Sequence, residues 1–208
     1  MPREELVRRS RILVVDDEEP PIIEDLRLAR FSVDYLPDID ASTLDRIERR
    51  LYDLVLLDFG NVGHAFGRDE GLSLLRHIKR VNPAIVVVAY TSRGLGSAHA
   101  DFYRLADLVL SKDAGIQESA EKIEDGLRKA HSVENLWAAL LAIGDIAPGS
   151  KQDREWQDLL VRGLSDERKL ARLKQNLAAT LQSETAKELG LSLLGKLIEV
   201  GVRAVAGV

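Results

Sequence analysis

Five side chains with the chemistry for phosphoryl transfer each follow a short apolar run in this sequence. Asp16 and Asp17 end the first such run, Asp58 ends a second, Thr91 ends a third, and Lys112 closely follows a fourth. A carboxylate can accept a phosphoryl group if cations and hydrogen-bond donors neutralise the phosphoryl oxygens. Carboxylates held a few ångströms apart repel one another, and a hard cation such as Mg²⁺ removes that repulsion. Side chains of these types could carry out such a reaction if the fold brings them together.

The four apolar runs are too short for helices and rich in branched residues, which is typical of buried parallel strands. We predict strands over 11–15, 53–58, 84–90 and 107–111. In an open α/β sheet, the carboxyl ends of the strands form the crevice in which ligands bind. We therefore expect three carboxylates, a hydroxyl and an ammonium to converge at one edge of the sheet.

The segments between these strands have the pattern of helices. A further strand is expected over 31–36, and a short helical or loose leader over 1–10. Alternating strands and helices predict an α/β fold, a doubly wound five-stranded parallel sheet with right-handed crossovers. The five expected helices run from Pro20-Pro21 to about Arg30, from a cap at Asp40 or Ser42 to Leu51, from Leu72 to Val81, over about 98–105, and from about Ile116 to about 130.

The acid pair Asp16-Asp17 and the later residues Asp58, Thr91 and Lys112 resemble, in order and spacing, the receiver domain of two-component response regulators. The resemblance covers residues 10 to about 130. It implies that Asp58 is the phosphoacceptor, that Lys112 stands beside the acyl phosphate, and that Thr91 offers its hydroxyl to a phosphoryl oxygen. Inward movement of Thr91 would then rearrange the face formed by the fourth and fifth strands.

The resemblance also implies a cofactor and partners. Mg²⁺ is expected to bind directly to Asp17, Asp58 and the backbone carbonyl of Gly60, with Asp16 reaching the ion through water. The expected phosphoryl donor is a histidine kinase, a phosphotransfer protein or a small phosphodonor. Such a protein is a switch and not an enzyme, because it catalyses at most its own phosphorylation and dephosphorylation.

The sequence departs from the receiver pattern at several positions. The loop after Asp58 lacks the usual proline, is several residues longer, and contains His64 and Arg68, so that it either covers the site, meets a partner or is a solvated insertion. Asp113 stands where the family usually has proline, and Val109 stands where many receivers have a switching aromatic. The chain between Asp17 and Asp58 is also a little short, so we expect a truncated first helix. These departures leave open an alternative: a pseudo-receiver that acts as a constitutive docking or membrane-associated module without phosphorylation.

From residue 132 the pattern changes to helices only, so we expect a receiver domain over 1–131 and a helical C-terminal region over 132–208. The clearest break is 144–150, after which a helix begins at Asp153. Ser165 is the expected N-cap of the next helix. Three or four helices are expected in all, with Trp137 and Trp156 anchoring their core.

Charge and composition narrow the function of this C-terminal region. It has 10 basic and 10 acidic residues, whereas the whole chain has a net charge of −5, so no basic face for nucleic acid is expected. The expected role is homodimerisation or capture of an unidentified protein partner, with 189–208 as a membrane-surface helix the weaker alternative. The chain has no cysteine, and its charged N-terminus lacks a signal-peptide core, which predicts a cytoplasmic location.

Overall fold

The structure, a computed structural model, describes residues 1–49, 51–92 and 99–206. The chain divides into two compact units. The first contains Met1–Val81 and Ile85–Ala130, and the second contains His131–Val208 together with the short segment Asn82–Ala84. The sequence pattern places the boundary one residue later and does not reveal that this short segment belongs to the second unit.

The first unit is built around a parallel sheet with the strand order β2-β1-β3-β4-β5. Val15 pairs with Leu57 at the ends of β1 and β3. Because paired residues of parallel strands lie side by side, Asp16 and Asp58, which come next in the chain, leave the sheet at the same edge. The strands are β1 (Arg11–Val15), β2 (Ser32–Leu36), β3 (Leu54–Leu57), β4 (Val86–Thr91) and β5 (Leu108–Ser111).

Helices connect these strands as expected, with differences at their ends. The helix expected from Pro20-Pro21 to about Arg30 covers Ile22–Leu28. The helix expected to reach Leu51 ends at Glu48. Asp40 caps the latter helix, since its carboxylate accepts a hydrogen bond from the Thr43 amide at 2.7 Å. The start of the helix expected over about 98–105 lies outside the described residues. The helices of this unit are α1 (Arg3–Arg9), α2 (Ile22–Leu28), α3 (Ala41–Glu48), α4 (Glu70–Val81), α5 (Ala100–Leu105) and α6 (Ile116–Ala130), and a 3₁₀ turn spans His64–Phe66.

Apolar side chains cover both faces of the sheet. Along β1, Ile12 and Val14 belong to one buried cluster, whereas Leu13 and Val15 belong to another. Successive side chains of a strand point to opposite faces, so the two clusters are the two layers of a doubly wound sheet. Residues of α1, α2 and α6 complete the first cluster, and residues of α3, α4 and α5 complete the second. The predicted fold class is confirmed.

The second unit is helical. Its core is a leucine-rich cluster that includes Trp156, which is only 1% exposed, and Ala84 of the short segment. None of the helices in the described part of the chain combines the length and apolar character that a membrane span requires. The helices are α7 (Val133–Ile143), α8 (Lys151–Gly163), α9 (Glu167–Thr180) and α10 (Glu184–Ala206).

The N-terminal caps of these helices differ in part from those predicted from the sequence. Ser132 and Ser150 are N-caps, and α8 therefore begins before the expected start at Asp153. The expected cap at Ser165 is wrong: Asp166 is the N-cap of α9, and its carboxylate accepts a hydrogen bond from the Arg168 amide at 3.0 Å. Both residue types are good caps, so the neighbouring backbone geometry decides between them.

Candidate functional site

Three carboxylates meet at the carboxyl edge of the sheet. Asp16 and Asp17 follow β1 and Asp58 follows β3, and one oxygen from each lies within 4.8 Å of the others. Asp16 is fully buried, Asp17 is exposed, and Asp58 is half-buried. The structure thus brings together the three acids that the sequence predicts as a group, with access from solvent on the side of Asp17.

Lys112 supplies the positive charge of the site. Its Nζ lies 2.6 Å from Asp16 Oδ2 and 3.3 Å from Asp58 Oδ1. The backbone amide of Lys112 donates to the Thr91 carbonyl at 2.8 Å, which continues the β4–β5 pairing one residue beyond the sheet. This backbone bond fixes the direction in which the long side chain leaves β5 and turns toward the acids.

Thr91 and Gly60 complete the set of predicted residues. Thr91 is the last residue of β4 and is 5% exposed, so its side chain stands at the same edge of the sheet. Gly60 follows Asp58 in the loop, and its amide donates to Asp58 Oδ2 at 2.9 Å. The role predicted for the Gly60 carbonyl stays a prediction, whereas the amide bond is a contact that the sequence does not reveal.

Electrostatics in the pocket favour the binding of positive charge. Burial raises the pKa of Asp16 in spite of the Lys112 ammonium, and the nearby Asp58 carboxylate raises it further. Burial alone would lower the pKa of Lys112, but the Asp16 and Asp58 carboxylates raise it above its ordinary value. The Asp16 shift therefore comes mainly from burial, whereas the Lys112 shift comes from its two carboxylate partners.

The donor set fits a hard divalent cation. Carboxylate oxygens are the ligands that Mg²⁺ prefers in proteins. Asp16 Oδ2 is buried, and the Lys112 ammonium lies 2.6 Å from it. One ammonium does not balance three carboxylates, and like charges this close repel one another. A cation among the three acids would remove that repulsion.

Asn61 is a site residue that the sequence analysis did not identify. Its side-chain Nδ2 donates to Asp17 Oδ2 at 2.8 Å, and its backbone amide donates to Glu70 Oε2 at 3.2 Å. The signal available in the sequence is weak, because an asparagine two residues before Gly63 indicates only a turn. The contact with Asp17 is tertiary and joins two loops.

The loop after Asp58 is packed against its surroundings. The Gly63 amide donates to Asp38 Oδ1 at 2.6 Å. The centre of the Phe66 ring lies 4.9 Å from the centre of the His77 ring on α4. His64 and Arg68, which the sequence singles out, are exposed. Arg68 borders an open depression of about 490 Å³ between this loop and α5. The loop is therefore anchored on the β2–α3 connection and on α4, and it does not bring His64 or Arg68 among the three acids.

Aromatic side chains pack next to Asp58. The ring of Phe59, the residue after Asp58, has its centre 4.0 Å from that of His99 and 5.3 Å from that of Phe102. Val109 packs, partly buried, against the same apolar cluster of the sheet. An aromatic residue thus stands directly after Asp58, although the family's usual aromatic position holds valine.

Comparison with known proteins gives a fold. No protein-family model and no curated protein sequence matches the chain. Among solved structures, NtrX from Brucella abortus in complex with ATP has a TM-score of 0.50 and 24% identity, with 74% of this chain and 34% of that chain covered. The strand order of the first unit is that of the flavodoxin-like sheet found in CheY. The chain has a receiver fold.

Two receiver domains are also similar to the chain. The receiver domain of NtrX from Brucella abortus is 28% identical, with a TM-score of 0.47 and coverage of 56% of this chain and 98% of that chain. A CheY-like response regulator receiver domain protein from Methanospirillum hungatei JF-1 is 23% identical, with a TM-score of 0.47 and coverage of 58% and 95%. The chain spans about a third of the ATP-bound NtrX, so only the fold is carried over from that protein.

Proposed function

We propose that this protein is a response regulator whose Asp58 accepts a phosphoryl group in a Mg²⁺-dependent reaction. One observation carries the proposal: three carboxylates within 4.8 Å of one another share the receiver sheet edge with Lys112. Three carboxylates this close, one of them fully buried, are costly to a fold that does not use them.

The chain's own residues would act as follows. An Asp58 carboxylate oxygen attacks the phosphorus of the donor, a new P–O bond forms, and the bond to the donor's leaving group breaks. Lys112 neutralises a phosphoryl oxygen, since its Nζ already lies 3.3 Å from Asp58 Oδ1. The Gly60 amide, 2.9 Å from Asp58 Oδ2, orients the nucleophile, and Thr91 offers a hydroxyl.

Mg²⁺ would be held by Asp17, Asp58 and the Gly60 carbonyl, with Asp16 behind a water molecule. It would supply the positive charge that balances the roughly −1.5 to −2 charge of a phosphoryl group. The donor is proposed to be a histidine kinase, a phosphotransfer protein or a small acyl phosphate. The protein itself turns over no other substrate in this proposal.

Output is assigned to the second unit. Its four helices carry balanced charge and surround an apolar core, which suits protein contacts better than nucleic-acid binding. We propose that phosphorylation controls homodimerisation or binding of a partner protein through these helices. Size-exclusion chromatography with light scattering, run with and without phosphorylation, would detect a change in oligomeric state.

A second function is favoured by one contact. The Lys112 ammonium already lies 2.6 Å from buried Asp16 Oδ2, and this ion pair would stabilise the fold without phosphorylation. A pseudo-receiver of this kind would dock a partner constitutively. Flotation of the full chain with anionic liposomes tests whether that partner is a membrane surface, and we expect no flotation.

Incubation with acetyl phosphate and Mg²⁺, followed by intact-mass spectrometry, separates the two functions. The switch requires a mass increase of one phosphoryl group that disappears in Asp58→Asn. No increase in the unaltered chain, or an equal increase in Asp58→Asn, would leave the pseudo-receiver.

A further inference from the structure

The loop that follows the phosphoacceptor position is tied to the acid cluster through Asn61. Its side-chain amide donates to Asp17 Oδ2 at 2.8 Å, across 44 residues of chain. Its backbone amide donates to Glu70 Oε2 at 3.2 Å, at the first residue of α4. Asn61 therefore connects the end of β1 with the start of α4, and both contacts lie at the mouth of the site.

The backbone at Asn61 holds the side chain in this direction. Asn61 has φ 57° and Glu70 has φ 47°, so two non-glycine residues adopt the left-handed conformation. That conformation costs free energy and persists only where the surroundings fix it. Asparagine tolerates it better than most residues do, which accounts for the residue type at this position. The Asn61–Glu70 hydrogen bond, together with the bond from the Gly71 amide to the Phe59 carbonyl, closes the two ends of the loop on each other.

Asp17 is the acid that needs such support. It is exposed, whereas Asp16 is fully buried and Asp58 is half-buried and paired with Lys112. Repulsion from the other two carboxylates pushes an exposed aspartate side chain outward into water. The Asn61 amide opposes this by holding one Asp17 oxygen, which leaves the second oxygen for a cation.

We propose that Asn61 is a positioning residue that preorders Asp17 for a divalent cation and thereby raises the affinity of the site. The proposal rests on the proposed function, since it assumes that the cluster binds the ion. Hydrogen bonds to ligating groups commonly change metal affinity by about tenfold or more. Because Asn61 and Asp17 are exposed, we expect an effect at or below the lower end of that range.

The test is Mn²⁺ titration of the full chain, with the free ion measured by electron paramagnetic resonance. Asn61→Gly keeps the left-handed backbone accessible and removes the side chain that carries the amide, and we expect its affinity to be about threefold to tenfold lower. Ala65→Gly is the matched control for loop flexibility, because Ala65 is exposed in the same loop, and its affinity should equal that of the unaltered chain. Asp17→Asn establishes that the ion binds at the acid cluster.

The outcomes distinguish the two proposals. Weaker binding in Asn61→Gly, with Ala65→Gly unchanged, supports the role of the amide. Equal binding in Asn61→Gly and the unaltered chain, with binding lost in Asp17→Asn, overturns the role of Asn61 and leaves the proposed function intact. Equal weakening in both glycine variants assigns the effect to loop flexibility and overturns the role of the amide. No Mn²⁺ binding by the unaltered chain overturns both proposals.

Discussion

Gly71 lies directly against the backbone of Asp58. A Cβ atom on Gly71 would be 2.4 Å from the Asp58 carbonyl oxygen, and the Gly71 amide donates to the Phe59 carbonyl at 3.0 Å. Backbone atoms cannot turn aside as a flexible side chain can, so the first turn of α4 fits only with glycine at this position. The same contact holds the backbone of Asp58, from which the carboxylate extends.

Gly71→Ala should therefore lower both stability and phosphorylation. The added methyl group must displace α4 or the Asp58 backbone, which costs about 1–3 kcal/mol of the free energy of unfolding. Urea denaturation followed by circular dichroism measures this loss, and phosphorylation by acetyl phosphate should slow in parallel. Gly115→Ala is the control, because a Cβ there meets no atom within 4 Å. Equal stability of the two variants would show that the close approach is not a constraint.

Replacement of Lys112 should be costly in the absence of divalent cations. Lys112→Met leaves the fully buried Asp16 without its ion-pair partner, 2.6 Å away in the unaltered chain. Removing one partner of such a pair costs about 3 kcal/mol. Added Mg²⁺ should restore part of that stability, since it offers the acids another positive charge. Lys151→Met, on the exposed start of α8, should change stability little, and an effect as large as that of Lys112→Met would contradict the account.

Asp107 gives the fold a defined pH dependence. Burial alone would raise the pKa of Asp107, but the Lys79 and Lys129 ammonium groups and the Val87 amide lower it below its ordinary value. Burial outweighs the attraction of Asp107 and lowers the pKa of Lys79. The ion pair therefore favours the charged form of Asp107 but does not raise the pKa of Lys79. A carboxyl with a lowered pKa stabilises the folded state above its unfolded pKa of about 3.9 and loses that effect as the pH falls through the folded value.

Asp107→Asn should accordingly cost about 2 kcal/mol at pH 7, and the difference from the unaltered chain should shrink below about pH 4. Urea titrations between pH 7 and pH 3 measure both values. Asp125→Asn, at an exposed carboxyl group on α6, is the matched control for the substitution. A difference for Asp107→Asn that stays constant over this range would contradict the assignment.

Asp153 is a buried hydrogen-bond acceptor that joins several segments of the second unit. It is 4% exposed and accepts hydrogen bonds from Trp137 Nε1, the Gly149 amide and Gln157 Nε2, at 3.0, 2.7 and 2.8 Å. Asp153→Ala leaves these donors without their acceptor and should cost at least about 2 kcal/mol. The chain has 2 tryptophans, both in this unit, so their fluorescence during urea unfolding reports on it. Asp158→Ala, in an exposed pair with Arg162, should cost no more than about 0.5 kcal/mol, and a loss equal to that of Asp153→Ala would contradict this role.

The sequence was sufficient to predict the sheet and the grouping of Asp16, Asp17, Asp58 and Lys112 at its edge. Strands such as Leu54–Leu57 are wholly apolar and stop at a carboxylate, so the pattern marks both the element and the residue that leaves it. The receiver fold that follows from this order of strands is confirmed. Phosphorylation, the cation and the output of the second unit stay proposals, because they depend on molecules other than this chain.

What the sequence did not reveal depends on contacts between distant residues. Asn61 and Asp17 are 44 residues apart, and Asp153 and Trp137 are 16 apart. Neither pair has a local signature, since asparagine is common in turns and aspartate is common in the first turn of helices. The segment Asn82–Ala84 belongs to the second unit for the same kind of reason: Asn135 Nδ2 donates to the Ala84 carbonyl at 2.8 Å, across 51 residues.

Peptide mapping of the phosphorylated chain tests the central claim most directly. The chain would be treated with acetyl phosphate and Mg²⁺, reduced with borohydride to convert the aspartyl phosphate, digested, and sequenced by mass spectrometry. The account predicts conversion at Asp58 alone, and only when Mg²⁺ is present. Conversion at Asp16 or Asp17, conversion that does not need the cation, or no conversion at any aspartate would contradict it.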